Sequence, residues 1–182
     1  MSMIGHNLLH QIVLEKGIIE PGEILNSLHK GVQESLRQGQ NEINTNDGMD
    51  VSLIAIDYKT KIVKWAGANR PLVLINSAGE YLKYDGNKFP VGGAQLDINR
   101  QFTTHSVTVN GSAMAYMFSD GYADQFGGEK GKKYMVKRFN EQLLTIYNTH
   151  PENQRAELEK SFEQWKINHE QVDDVLVVGI GI

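Results

Sequence analysis

The sequence has no cysteine, only four prolines and no long apolar run. The lack of cysteine excludes disulfide bonds, thiolate metal sites and a cysteine nucleophile. No apolar stretch approaches the ~20 residues that a membrane-spanning helix needs, and residues 1–4 do not have the basic and apolar regions of a signal peptide. These absences predict a cytoplasmic protein whose domain makes no contact with a membrane.

Positive charge is also scarce, because 18 Lys and Arg residues face 22 Asp and Glu residues and the formal net charge is −4. No basic stripe follows a predicted element, so a nucleic acid is not an expected partner. The densest basic segment is residues 130–138, with five Lys and Arg residues. It fits either a solvated helix start or a phosphate-binding patch, and such charge runs more often line solvated faces.

The length of 182 residues, with 40% apolar and 22% charged residues, is typical of one soluble globular domain covering residues 1–182. Apolar residues at helical spacing predict four helices. One helix ends at Gly17, a second begins at Pro21 and ends at residues 39–41, before a polar loop at 44–48. The other two helices are expected at residues 133–147 and from Pro151 to Trp165.

Short β-type segments separated by turn residues predict the strands. They are residues 51–57, 62–66, 72–75, 81–84, 102–109, 113–118 and 175–182. Asn110-Gly111 is a strong two-residue hairpin signal and predicts that segments 102–109 and 113–118 pair with each other. Consecutive hairpins between helical ends predict an α+β fold with mainly antiparallel sheets and helices packed on the sheet faces.

Acidic residues occur where two of these strands end or begin. Asp120 follows segment 113–118, while Asp173 and Asp174 precede the last strand. If those strands are antiparallel neighbours, the three carboxylates come close together and require a cation, for which oxygen ligands favour Mg²⁺ or Mn²⁺. Metal-assisted hydrolysis is the matching chemistry. Asp-Gly and Asp-Asp are also common turn and cap residues, and their spacing alone favours that interpretation.

Four motifs in order resemble those of the SpoIIE-type branch of the PPM (PP2C-like) serine/threonine phosphatases. FSDGYAD at 118–124 resembles the family's "SDG" motif with its trailing acid, and VDDVLVV at 172–178 its closing "DD" motif and last strand. AGANRPL at 66–72 resembles the "AGHxP" turn, with Asn69 where His is common, and FPVG at 89–92 resembles "PLG". The match extends over the whole chain.

This resemblance implies an α-β-β-α sandwich with a two-metal Mn²⁺/Mg²⁺ centre that hydrolyses phosphoserine or phosphothreonine on a regulatory protein in bacterial signalling. Asp120 and Asp173 match metal ligands, Asp124 and Asp174 match accompanying acids, and Gly121 is expected to shape the loop. The implied partners are a phosphoprotein resembling an anti-sigma-factor antagonist and an upstream sensory domain.

Arg70 is a candidate phosphate ligand, because a guanidinium group can bind a phosphate with two hydrogen bonds. The residue follows Asn69 in a turn beside a predicted strand. An ordinary surface salt bridge is the alternative role, and the sequence favours it.

One motif of the family has no counterpart. In the family, an aspartate on an early strand and a "GHG" turn precede a helix that resembles residues 1–5. We therefore expect an N-terminally truncated domain, a fragment of a larger signalling protein with half a metal site and little activity alone. An open sheet edge would then favour self-association as a homodimer. The alternative hypothesis is a non-catalytic, pseudophosphatase-like module that binds a partner.

Overall fold

The computed structural model describes residues 1–36, 38, 47–93 and 100–182. The predicted helix end at 39–41 and most of the predicted loop at 44–48 therefore lie outside the described residues. The chain divides into two compact units, the first comprising Met1–Leu72 and Tyr84–Asn110, the second Val73–Lys83 and Gly111–Ile182. Their helices and antiparallel sheets confirm the predicted α+β class, whereas the sandwich arrangement stays a prediction.

The helices of the first unit bury a regular apolar stripe. Helix α1 (Ser2–His10) continues into a π-helical segment (Gln11–Glu15), and helix α2 covers Pro21–Ser35. Pro21 occupies the first turn of α2, where its missing N–H has no intrahelical partner to lose. Buried side chains of α2, of the π-helical segment and of later parts of the unit form its core: Ile12, Ile24, Leu25, Leu28, Val32, Ala66, Ala68, Val91 and Phe102.

In the part of the first unit that the structure describes, the strands form two small antiparallel sheets. Strands β2 (Val51–Asp57), β3 (Ile62–Ala68) and β7 (His105–Thr108) form a sheet in the order β2-β3-β7. Strands β1 (Gly48–Met49) and β6 (Val91–Gly92) pair separately. The predicted hairpin is confirmed, because β2 and β3 follow each other in the sequence and pair antiparallel along their whole length.

The second unit contains all but two residues of the larger sheet. Its strands are β4 (Leu72–Asn76), β5 (Tyr81–Tyr84), β8 (Ala113–Phe118) and β11 (Val177–Gly181), in the order β11-β8-β4-β5. Helix α3 (Gly121–Asp124) leads into a hairpin of β9 (Phe126–Gly127) and β10 (Lys132–Lys133), then α4 (Val136–Ile146) and α5 (Pro151–Lys166). An aromatic core joins sheet and helices: Val73, Ile75, Tyr116, Tyr122, Tyr134, Phe139, Leu143, Ile146, Leu158 and Phe162.

The predicted pairing of segments 102–109 and 113–118 is wrong. Strand β7 pairs with β3, whereas β8 lies between β4 and β11. Gly111 does adopt the positive φ of a tight turn, 86°. The backbone N–H groups on either side nevertheless donate elsewhere, Val109 to the carbonyl of Lys61 at 2.9 Å and Ala113 to that of Ile182 at 3.2 Å. The dipeptide sets the local chain direction but does not choose the strand partners.

The basic segment 130–138 also differs from the prediction, since α4 begins at Val136 and not at residue 133. Residues 132 and 133 belong to the β9–β10 hairpin, and Met135 has a φ of 77° that no helix allows.

None of the helices in the described part of the chain is long and apolar enough to cross a membrane.

Candidate functional site

Asp120 lies just beyond the end of the central strand β8. Its backbone has helical dihedral angles (φ −74°, ψ −19°), and its carbonyl accepts a hydrogen bond from the N–H of Asp124 at 2.9 Å. The chain therefore turns directly from β8 into α3, and the partly buried Asp120 stands at the junction. The carboxylate of Asp120 therefore stands where the central strand β8 changes into helix α3.

Ser119 joins this junction to the segment that precedes β11. Its N–H donates to the carbonyl of Leu176 at 3.0 Å, and its Oγ accepts from the N–H of Leu176 at 3.0 Å. The same hydroxyl donates to the carbonyl of Asp174 at 2.8 Å. The segment leading into β11 consequently runs beside Ser119 and continues the register in which Val177 faces Phe118. The antiparallel pairing expected from the sequence is confirmed.

Gly121 provides the room for this close approach. A Cβ atom at this position would lie 2.4 Å from the carbonyl oxygen of Asp174, a distance that real Cβ contacts do not reach. Glycine is therefore required by the neighbouring backbone, since its own φ lies outside the left-handed region. The expected role of Gly121 in shaping the loop of a metal site stays a prediction.

The acidic side chains of the site make different contacts. Oδ1 of Asp173 accepts a hydrogen bond from the N–H of Asp174 at 2.7 Å, and both residues are exposed. Asp124 forms a 2.9 Å ion pair with Nζ of Lys133. Among the residues that the structure describes, no three His, Asp or Glu side chains form a group that could hold a metal ion. Asp120 and Asp173 offer oxygen donors suited to Mg²⁺ or Mn²⁺, and their role as ligands stays a prediction.

Tyr122 anchors this junction to the helices. Its hydroxyl donates to the carbonyl of Leu158 at 2.8 Å, and its ring contacts Phe139 and Phe162 with centroid distances of 4.7 and 5.1 Å. Burial, followed by the nearby Tyr134, raises the pKa of Tyr122 well above its ordinary value. The hydrogen bond and the ring contacts make Tyr122 a support that ties the junction to helices α4 and α5.

Arg70, in the first unit, forms an ion pair. Its Nη2 lies 2.8 Å from Oδ2 of Asp50, while Nδ2 of Asn69 donates to Oδ1 of the same carboxylate at 2.8 Å. Asn69 has a φ of 58°, which asparagine tolerates better than most residues. The salt bridge that the sequence favoured is present, and phosphate binding by Arg70 stays a prediction.

Ser119 and Lys133 belong to the site as well, although the sequence pattern does not single them out. A serine at a strand end can bond to a neighbouring backbone, which is the signal that could have identified Ser119. The pairing of Lys133 with Asp124 depends on the β9–β10 hairpin, which the sequence did not predict.

Comparisons with known proteins place these observations in a family. The sequence model described as Stage II sporulation protein E (SpoIIE) matches residues 1–182. No curated protein matches the sequence at a significant level. The SiaA-PP2C domain of Pseudomonas aeruginosa superposes with a TM-score of 0.85 at 20% identity, over 98% of this chain and 67% of that one.

Two further solved structures share the fold at lower identity. The PP2C domain with a fragment of the regulatory domain of SpoIIE from Bacillus subtilis gives a TM-score of 0.70 at 16% identity, over 96% of this chain and 48% of that one. RsbX in complex with magnesium gives a TM-score of 0.60 at 12% identity, over 97% of this chain and 71% of the RsbX chain. The chain thus spans about half the length of the SpoIIE structure.

Proposed function

Because this chain belongs to the SpoIIE family of PP2C-type phosphatase domains, we propose that it takes part in the metal-dependent hydrolysis of phosphoserine or phosphothreonine on a regulatory protein in bacterial signalling. The observation that carries this proposal is the bonding of Ser119 to Leu176 and Asp174. Those bonds hold the segment with Asp173 and Asp174 beside Asp120.

In this proposal Asp120 and Asp173 hold a divalent cation, Mn²⁺ or Mg²⁺. A bound cation of this kind makes a water molecule nucleophilic at neutral pH. The presence of magnesium in the RsbX structure supports the choice of metal. Ser119 and Gly121 position the two acidic segments, and Asp124 balances the charge of Lys133 at the rim of the site.

The activity of this chain alone is proposed to be low. Two carboxylates cannot hold two divalent ions. Among the described residues, no group of three acidic or His side chains is close enough to add the ligands of a second ion. A complete two-metal centre would need further carboxylates. The implied substrate resembles an anti-sigma-factor antagonist. An upstream sensory domain and a homodimer belong to the same proposal.

Calorimetric titration with Mn²⁺ tests the metal site. We expect Asp120→Asn and Asp173→Asn each to weaken binding at least tenfold, because each removes one anionic ligand. Glu152→Gln is the matched control, since Glu152 is an exposed acid on α5 and its replacement should leave binding unchanged. Unchanged Mn²⁺ binding in both aspartate variants would refute the metal site.

Hydrolysis of p-nitrophenyl phosphate in the presence of Mn²⁺ tests the activity of the chain alone. We expect turnover near the background rate. Robust turnover that Asp120→Asn abolishes would contradict the proposed need for further ligands while it supports phosphatase chemistry.

A non-catalytic, pseudophosphatase-like module is the second candidate. The observation that favours it is the pairing of Asp124 with Lys133, which neutralises one of the acids without a metal. Titration of this chain with Mn²⁺ separates the two candidates. Absence of Mn²⁺ binding would support the module, and tight binding lost with Asp173→Asn would support the phosphatase.

A further inference from the structure

Positive charge is concentrated in one segment of an otherwise acidic chain. Residues 129–138 contain five of the 18 Lys and Arg residues and a single acid, Glu129, although the whole chain carries a net charge of −4. The segment forms the turn of the β9–β10 hairpin, strand β10 and the start of α4. We use the term basic hairpin for residues 126–138.

The basic hairpin is bonded directly to the helix that follows Asp120. The N–H of Met135 donates to the carbonyl of Ala123 at 2.8 Å, and that of Tyr134 donates to the carbonyl of Gln125 at 2.9 Å. Lys133 reaches Asp124, the last residue of α3, through its 2.9 Å ion pair. Lys133 therefore borders the acidic site, and the other cations of the basic hairpin lie within five residues of it in the same segment.

The cations of the basic hairpin face solvent. Lys130 and Lys132 are exposed, and 90% of the Lys137 side chain is accessible, its ion pair with Glu141 being 4.0 Å long. The guanidinium group of Arg138 lies 4.2 Å from the ring centroid of Trp165, a cation–π contact that restricts its orientation. Exposed ammonium groups beside one oriented guanidinium group suit the carboxylates of a partner.

Apolar side chains accompany these charges. Phe126, Met135 and Val136 are all exposed, Met135 to 59%. Met135 has φ 77° and ψ 140°, a conformation that non-glycine residues rarely adopt and that concentrates at functional sites. A surface that combines exposed apolar groups with cations can contact the backbone and side chains of an acidic peptide together.

We propose that the basic hairpin binds acidic residues next to the phosphorylated serine or threonine of the substrate protein. This inference rests on the proposed function, since it names the class of substrate for the same site. Charge complementarity selects the occupant, because a cationic rim beside an acidic centre attracts a segment that is anionic on both sides of its phosphate. Each exposed charge pair contributes a factor of about two to five in affinity.

Fluorescence anisotropy with a labelled peptide tests the proposal without catalysis. The probe is a ten-residue peptide with Glu-Glu-phosphoserine-Glu-Glu at its centre, and EDTA is present so that metal binding does not contribute. We expect the combined variant Lys130→Glu, Lys132→Glu and Lys137→Glu to weaken binding at least tenfold. We also expect a peptide with Ser in place of each Glu to bind at least tenfold more weakly to the wild-type chain.

The matched control reverses three exposed lysines elsewhere, Lys30→Glu, Lys59→Glu and Lys160→Glu. This control has the same net charge as the first variant and should bind the peptide within about threefold of the wild-type chain. Lys137→Glu alone, which changes one fully solvated side chain, should weaken binding about two- to fivefold and keeps the test valid if the triple variant does not fold.

The proposal is wrong if both triple variants lose the same affinity, or if the Glu-flanked and Ser-flanked phosphopeptides bind equally. It is also wrong if a mixed-sequence oligonucleotide binds more tightly than the Glu-flanked peptide. Failure of the proposed function is a separate result. Loss of peptide discrimination with intact Mn²⁺ binding would refute only the role of the hairpin. Discrimination without Mn²⁺ binding would refute only the metal site.

Discussion

Replacing Gly121 with alanine should force apart the two segments that carry the acids. The new Cβ would lie 2.4 Å from the carbonyl oxygen of Asp174, 2.9 Å from its carbonyl carbon and 3.3 Å from Cγ2 of Val175. Non-bonded heavy atoms normally approach to roughly 3.5 Å, so the backbone of Asp174 must move by about 1 Å. A backbone group cannot rotate away as a flexible side chain can.

The free energy of unfolding should fall by about 2–4 kcal/mol. Overpacking of this kind costs about 1–3 kcal/mol, and loss of the Ser119 hydrogen bond to Asp174 adds about 1 kcal/mol. This is a large fraction of the ~5–15 kcal/mol that stabilises a typical domain. Mn²⁺ binding should weaken as well, because Asp173 moves together with Asp174.

Urea unfolding and Mn²⁺ titration of the same preparations measure both effects. Gly181→Ala is the matched control on β11, since its Cβ would lie 3.8 Å from Sδ of Met114, an ordinary contact. We expect that control to stay within about 0.5 kcal/mol of the wild-type chain. If Gly121→Ala is equally stable and binds Mn²⁺ unchanged, the close approach of the two segments is refuted.

Three further predictions concern single side chains. Ser119→Ala should lower the free energy of unfolding by about 1 kcal/mol, because it removes the solvent-exposed hydrogen bonds of the hydroxyl to Leu176 and Asp174. A loss below about 0.3 kcal/mol in urea unfolding would contradict this. Met135→Gly should raise the free energy of unfolding by about 1 kcal/mol. The replacement relieves about 1–3 kcal/mol of backbone strain, which exceeds the ~0.5–1 kcal/mol cost of the greater chain entropy of glycine in the unfolded state. Reduced stability in urea unfolding would show that Met135 is not strained. Burial, followed by the charge of Arg100, lowers the pKa of His29 below its ordinary 6.5. The unfolded chain then binds a proton more readily, so stability should be complete above about pH 6.5 and decline as the pH falls through the lower folded pKa. Urea unfolding at several pH values checks this, and an identical pH dependence in His29→Gln would exclude His29 as its source.

Features set by short stretches of sequence were predictable. Helix α2 follows from Pro21 and an apolar stripe whose side chains are all buried. The β2–β3 hairpin follows from two apolar segments separated by a short polar turn. The acids at the ends of β8 and β11 were also identified from sequence, because a strand end is marked by a local change from apolar to polar residues.

Features that depend on distant partners were not predictable in this way. The strands beside Asn110-Gly111 pair with β3, β4 and β11, although the dipeptide itself has hairpin chemistry. The partner of a strand is chosen by which side chains can be buried together and which edge is open, and neither is encoded at the turn.

The amino-acid sequence by itself determined the class of fold, the family and the positions of the acids relative to the strands. Tertiary structure alone decided that Ser119 bonds to Asp174 and Leu176, which are 55 and 57 positions further along the chain. It also decided that a basic segment becomes a hairpin beside Asp124. The physical reason is that helix and turn propensities act within a few residues, whereas these contacts form only after the sheet has brought separate segments together.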